Sequence, residues 1–222
     1  MGKEVESGPM GHVEHAAKWD QVHRTKTSNE PFFQVFWDSL KPADVEHIIV
    51  RMLIRPASDH DLEGLAMTHV AAWHEAYAEI LPSDVLASIT IDGRRSGWVT
   101  ALADPKRQNI VCDLDGEVAG FASFGSSRDG DATPDTAELI GLYVHPRYWR
   151  RGVGRALWIA VAEQVDAGYS ATTLWVLRDN VRARRFYESV GFGPTIERER
   201  ASPRLGGAIE VRYRRLARAW PK

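Results

Sequence analysis

The segment Ala137–Trp158, AELIGLYVHPRYWRRGVGRALW, constrains the fold more than any other stretch of the chain. An apolar run over Glu138–His145 reads as a strand, Pro146–Arg151 as a basic turn, and Gly152-Val153-Gly154 as the opening of a helix. A strand feeding a glycine turn at a helix N-terminus makes an anion site. The first N–H groups there have no intrahelical partner, and the helix dipole favours negative charge. Arg147, Arg150, Arg151 and Arg155 crowd the same turn, so a phosphate-bearing ligand is expected on it.

Charge is divided in a way that fits this expectation. Residues 1–145 carry 12 Lys and Arg against 23 Asp and Glu, whereas residues 146–222 carry 16 against 7. A basic second half suits a polyanionic ligand. No run approaches the length of a membrane-spanning helix, so no membrane span is expected. The single cysteine, Cys112, rules out an internal disulfide framework and is expected to fill the core. The N-terminus lacks a signal-peptide pattern, and a reducing cytoplasm is the expected compartment. Eight histidines are scattered without an HExxH pair, so no metal site is expected.

Residues 1–51 read as an N-terminal extension. Phe32, Phe33, Phe36, Trp37 and Leu40 fall at helical spacing after Pro31, an amphipathic helix whose aromatic face packs on the main domain or on a second copy of the chain as a homodimer. From Met52 onward the order is regular. A strand stopped by Pro56 precedes a helix capped at Ser58-Asp59, with an apolar stripe of Leu62, Leu65, Ala66, Val70, Trp73 and Tyr77. Two short helices follow, one after Leu81-Pro82 and one over about 92–102. Strands 109–114 and 117–124 are joined by Asp115-Gly116, a hairpin signal. After the glycine turn come a helix ending at Gly168, a β-branched strand Ala171–Leu177 and a helix capped by Asp179-Asn180 and stopped by Gly191. A closing strand pair spans 195–200 and 208–216. The class is mixed α/β (α+β).

Two nucleotide motifs share the look of the glycine turn and both fail. The chain has no GxxxxGK[ST], and Leu157 stands where a dinucleotide fingerprint needs its third glycine. WRRGVG over Trp149–Gly154, after LYVHP, resembles the coenzyme A turn of the GNAT superfamily of N-acetyltransferases, with Trp149 in place of the family's Gln or Arg. NVRARRFYESVGF over Asn180–Phe192 is similar to the family's later segment at Asn180, Ala183, Phe186, Tyr187, Gly191 and Phe192. The resemblance spans about residues 52–216 and implies a mixed, mostly antiparallel twisted sheet flanked by helices.

It also implies acetyl-CoA as co-substrate and direct attack by a primary amine of a small molecule or peptide. Backbone N–H groups of Arg151, Gly152, Val153, Gly154 and Arg155, with Arg150, would hold the pyrophosphate. Peptide groups of Leu142, Tyr143 and Val144 would pair with the pantetheine arm as an added strand, and an N–H of Leu142 or Tyr143 would face the thioester oxygen. Tyr187 stands at the general-acid position, and Glu138 is the expected base, acting through water. Asn180 is either a helix cap or a cofactor contact. Trp73 and Tyr77 are expected at the acceptor, and His145 in a structural place. Two rivals remain at this level: a non-catalytic acyl-CoA-binding module, and nucleic-acid binding through Arg182, Arg184 and Arg185, which would leave the glycine turn unexplained.

Overall fold

The computed structural model describes residues 52–217, so the expected extension over 1–51 and its aromatic helix lie outside the described residues. Seven strands form one sheet in the order β1-β2-β3-β4-β5-β7-β6. They are β1 (Met52–Pro56), β2 (Arg107–Leu114), β3 (Glu117–Ser126), β4 (Thr136–Val144), β5 (Ala171–Leu177), β6 (Gly193–Ser202) and β7 (Ala208–Leu216). All neighbours are antiparallel except β4 and β5. The helices are α1 (Leu62–Tyr77), α2 (Ser83–Ala87), α3 (Ile91–Ala103), α4 (Val153–Gly168) and α5 (Val181–Ser189).

Local chemistry sets these elements. Asp115 and Gly116 both take positive φ, 52° and 88°, as the two-residue turn between β2 and β3 requires. Asn180 caps α5 by accepting the Ala183 N–H at 3.0 Å. Gly191, at φ 98°, ends the helix while the Phe192 N–H returns to the Tyr187 carbonyl at 3.0 Å. The buried stripe of α1 is Leu65, Ala66, Thr68 and Ala72, turned slightly from the expected one. The reason is Thr68, whose hydroxyl donates to the Val118 carbonyl at 2.6 Å and docks the helix on β3.

Strand alternation assigns the two faces of the sheet. On one, Val153, Leu157 and Val161 of α4 pack with Ala122, Leu139, Leu174 and Tyr213. Cys112 is buried in this core, and burial pushes its thiol up to about 12. On the other, Leu65 of α1 and Trp98 of α3 cover Val111 and Phe121, with Tyr143 against them. A bidentate Arg215–Asp166 pair, both contacts at 2.7 Å, ties β7 to α4.

The feature that makes a site lies in β4. The β3–β4 register shifts between Ser123 and Phe124, which pair with Gly141 and Leu139, so Ile140 is an extra residue. A bulge bends its strand and sharpens the twist. Pairing of β4 with β5 covers only Thr136–Glu138 and stops just before the bulge. From Leu139 to Val144 the β5 side of β4 is an unpaired edge inside the sheet.

Candidate active site

Which peptide groups face that edge follows from alternation. The His145 N–H bonds to the Ala119 carbonyl at 2.9 Å, so residues 145 and 143 direct their peptide groups to β3. Those of Leu142 and Val144 therefore face β5. This removes Tyr143 from the three residues expected to pair with an extended ligand, and leaves Leu142 as the N–H at the inner end. The Val144 carbonyl already accepts the Trp149 indole N–H at 2.7 Å. Trp149, the departure from the family motif, is thus fixed by its side chain, and the Arg182 guanidinium of α5 lies 3.4 Å above its ring centroid.

The turn below the edge has the geometry expected of an anion site. Arg150 sits at φ 62° and Gly152 at φ 84°, two left-handed positions on either side of Arg151, the first adopted by a non-glycine residue at a cost. The first helical bond of α4 runs from the Ala156 N–H to the Gly152 carbonyl, so the N–H groups of Val153, Gly154 and Arg155 have no partner within the helix. The side chains of Arg150, Arg151 and Arg155 are exposed and meet no carboxylate among the described residues. Val153 itself is buried in the core under the turn.

Three tyrosines, Tyr77 of α1, Tyr143 of β4 and Tyr187 of α5, stand close together. The Tyr77 and Tyr143 hydroxyls are 3.4 Å apart, and Tyr187 lies close enough to raise the pKa of Tyr77. Burial, and then Tyr143, push the Tyr187 phenol well above its ordinary range. Its hydroxyl makes no hydrogen bond among the described residues, unlike those of Tyr143 and Tyr213.

Glu138 has a different setting from that of a base. Its carboxylate accepts the Arg128 Nη2 at 2.6 Å, the Arg128 Nε at 2.9 Å and the Arg128 backbone N–H at 3.1 Å. Burial would raise its pKa, but the Arg128 hydrogen bonds and charge outweigh that and hold it below the usual carboxylate range. Both oxygens are committed, so Glu138 anchors the 127–135 loop. Asp129 in the same loop accepts the Trp175 indole N–H at 2.9 Å, and Asp131 accepts Arg212 at 2.7 Å. The loop is pinned at three points as a wall.

Trp73 and Tyr77 line the face opposite α4, edge to face at 5.0 Å. With them stand residues that no sequence pattern marked. His69 stacks on Tyr143 at 5.1 Å, and Arg94 lies 4.5 Å over the Trp73 ring. Arg107 lies 5.7 Å from the Trp98 ring and hydrogen-bonds Ser123. The nearest sequence signal is Arg94 and Trp98 at i, i+4, which places both on one side of α3. His145 accepts the Arg147 N–H at 3.3 Å, a structural role. Asn180 is the α5 cap, and its amide nitrogen donates to no described group. Among the described residues no three His, Cys, Asp or Glu side chains gather as metal ligands, and no helix is long and apolar enough to cross a membrane.

A bulged, splayed mixed sheet with an anion turn below an unpaired strand edge defines a fold class, and the comparisons identify it. The sequence profile of the acetyltransferase (GNAT) family matches residues 69–192. The chain is 30% identical over 169 residues to the uncharacterized N-acetyltransferase YuaI of Bacillus subtilis, covering 76% of this chain and 92% of that protein. To the L-amino acid N-acyltransferase MnaT of Escherichia coli it is 26% identical over 129 residues, 57% of this chain and 74% of that one. The PaiA N-acetyltransferase of Thermoplasma acidophilum, solved in complex with coenzyme A, superposes with a TM-score of 0.58 at 21% identity, over 73% of this chain and 98% of that one. The chain belongs to the GNAT family of acetyltransferases, an acyltransferase family.

Proposed function

We propose that the protein moves the acetyl group of acetyl-CoA to a primary amine of a small molecule or peptide, by direct attack on the thioester. The observation that carries this reading is a helix N-terminus with partnerless N–H groups following a strand whose edge is unpaired at Leu142 and Val144. Tyr187, buried within reach of Tyr143 of the same strand, adds a proton donor.

The donor set fits a coenzyme A thioester. Val153–Arg155 offer N–H groups and Arg150, Arg151 and Arg155 exposed charge for a pyrophosphate. Leu142 offers both peptide groups and Val144 its N–H for an extended arm. Bound there, acetyl-CoA supplies an activated acyl carbon with a thiolate leaving group. The Leu142 N–H would stabilise charge on the acyl oxygen, since a preorganised donor needs no reorientation as that charge develops.

Tyr187 stays protonated across physiological pH because its buried ring disfavours the phenolate. It therefore holds a proton to give as charge develops on sulfur. On the other side, a free primary amine with a pKa of about 10.4 is neutral only about once in 10³ molecules at pH 7, a deficit of roughly 4–5 kcal/mol. With Glu138 bound to Arg128, we assign that deficit to desolvation beside the unpaired Arg94 charge, which disfavours an ammonium ion. The Tyr77–Tyr143 pair would pass the proton released on attack towards water.

Acetyl-CoA should raise Tm and bind with Kd below about millimolar, and a panel of amines should release free thiol. No thermal shift and no calorimetric binding would overturn the assignment. Binding without turnover of any amine would point instead to an acyl-CoA-binding module.

A further inference from the structure

Among the described residues, six buried polar atoms lack a hydrogen-bond partner of good geometry, and four of them belong to one cluster: His69 Nδ1, Trp73 Nε1, Arg94 Nε and Trp98 Nε1, of which the Trp73 indole N–H lies near enough to the Tyr143 hydroxyl to lower its pKa. Folded proteins leave few such atoms, so four together call for a reason. Their rings are mutual neighbours. His69 lies 5.8 Å from Trp73 and 5.9 Å from Trp98, with Arg94 over the first indole and Arg107 beside the second. Three of the four atoms are N–H donors whatever the pH.

The two arginines differ from others that are partly or fully buried. Arg55, Arg212 and Arg215 each meet a carboxylate at 2.7 Å. Arg94 and Arg107 are partly buried, yet among the described residues neither pairs with a carboxylate; Asp104 and Glu138 act on Arg107 only from beyond pairing distance, and burial lowers the pKa of both arginines. Desolvating a guanidinium without an anion is costly, and here it occurs twice around one histidine. Their shared field, after burial, drives the His69 pKa down to about 3, so the imidazole is neutral and cannot supply a negative partner. The cluster is short of one anion.

We propose that the acceptor amine also carries a carboxylate, and that Arg94 and Arg107 bind it on the aromatic floor formed by His69, Trp73 and Trp98. A carboxylate is planar, singly charged and rich in acceptor lone pairs, which matches forked guanidinium and in-plane indole donors. Trp73 lies 5.0 Å from the Tyr77 ring, His69 5.1 Å from that of Tyr143, and Arg94 acts on both tyrosines, so this anion site adjoins them. A short spacer between amine and carboxylate, as in an α-amino acid, suits that adjacency. This inference rests on the acetyltransferase reading for the amine, but the anion site can be measured without turnover.

The experiment compares L-leucine, L-methionine and L-phenylalanine, each with its own amide, as acceptors at saturating acetyl-CoA. Each amide keeps the amine and loses the charge. Its less basic amine is more often neutral, which biases the control against the proposal. We expect kcat/KM for at least one acid to exceed that of its amide by tenfold or more. Arg94→Gln and Arg107→Gln should each raise the acid's KM about tenfold or more and leave the KM for acetyl-CoA unchanged. Arg95→Gln, on the same helix but paired outward with Glu63 and Asp92, should change neither.

A second readout, calorimetric binding of N-acetyl-L-phenylalanine and N-acetyl-L-leucine with coenzyme A present, needs no catalysis and no variant. Equal kcat/KM for all acids and amides, or binding and KM unaltered in both arginine variants, overturns the carboxylate site while leaving the acetyltransferase reading in place. Acid binding lost in the variants, without turnover of any amine, supports the site and retires the catalytic reading. Phosphoethanolamine turned over in preference to every acid would replace the carboxylate by a phosphate and overturn the proposal.

Discussion

Glu138→Gln separates a base from an anchor. In the folded protein the carboxylate is almost fully buried at 6% exposure and the Arg128 guanidinium is 63% exposed. Breaking a fully buried ion pair costs about 3–5 kcal/mol, but the open side of Arg128 is screened by water, so we expect about 1–2 kcal/mol. At roughly 2–4 °C per kcal/mol for a domain of this size, Tm should fall by about 3–6 °C. The pH dependence has a definite sign. A carboxyl whose pKa is lowered on folding contributes stability above its unfolded value, near 4.3, and loses it as pH falls through the lower folded value. The gap in Tm between wild type and variant should therefore be constant from about pH 8 to pH 5 and close below about pH 4. On the catalytic side, loss of a general base costs about 10²–10⁴ in rate. An anchor predicts instead a kcat within about tenfold of wild type and a raised acceptor KM, because the 127–135 wall loosens. Arg128→Gln should reproduce both effects. A kcat reduced more than 100-fold with Tm and acceptor KM unchanged would refute the anchor.

Three further outcomes follow from the same geometry. Tyr187→Phe removes the unpaired hydroxyl but keeps the ring in the core, so kcat should fall about 100-fold while calorimetric affinity for coenzyme A is retained. Asp166→Asn strips the partner from the buried Arg215 and should cost about 3–5 kcal/mol, a fall in Tm of about 10 °C by calorimetry. Because the folded His69 pKa is lowered to about 3, the unfolded chain takes up a proton below about pH 6.5 that the native imidazole refuses. Stability should thus fall with pH through that window, and His69→Phe should flatten the decline in a Tm series from pH 7 to pH 4.

Much of this architecture is legible in the sequence because local rules set it. Asp115-Gly116 admits one hairpin turn, Asn180 one cap, and the stripe Val153, Leu157, Val161 one buried side of α4. The anion turn is legible for the same reason, since Gly152 must supply a positive φ and the helix behind it supplies the N–H groups. What escapes is whatever depends on two distant segments. Arg128 reaches Glu138 only because the loop between β3 and β4 folds back over the sheet. Arg94 and Arg107 meet His69 only through the packing of α1 and α3 on β2. Trp149 looks like a departure from a backbone contact, yet its indole bonds Val144 and its ring carries Arg182, a contact between the basic turn and α5 across 33 residues of sequence.

The role of Glu138 turns on a single residue of register. Along a regular strand, positions 138 and 143 would point to opposite faces, since side chains alternate with a period of two. Ile140 breaks that count. Glu138 pairs with Gly125 and Tyr143 with Phe121, positions four apart on β3, so both side chains emerge on the face of α1 and α3. The same extra residue ends the pairing with β5 and opens the edge along Leu142 and Val144. One bulge thus gathers the acceptor wall, the tyrosine pair and the free peptide groups at one point. It also places the carboxylate under the 127–135 loop, where an arginine can seize it. Distance along the strand made Glu138 look available to the amine. The partner on the adjoining loop occupies that carboxylate, and the proposed anchor role of Glu138 and acceptor role of Arg94 and Arg107 both rest on that pairing.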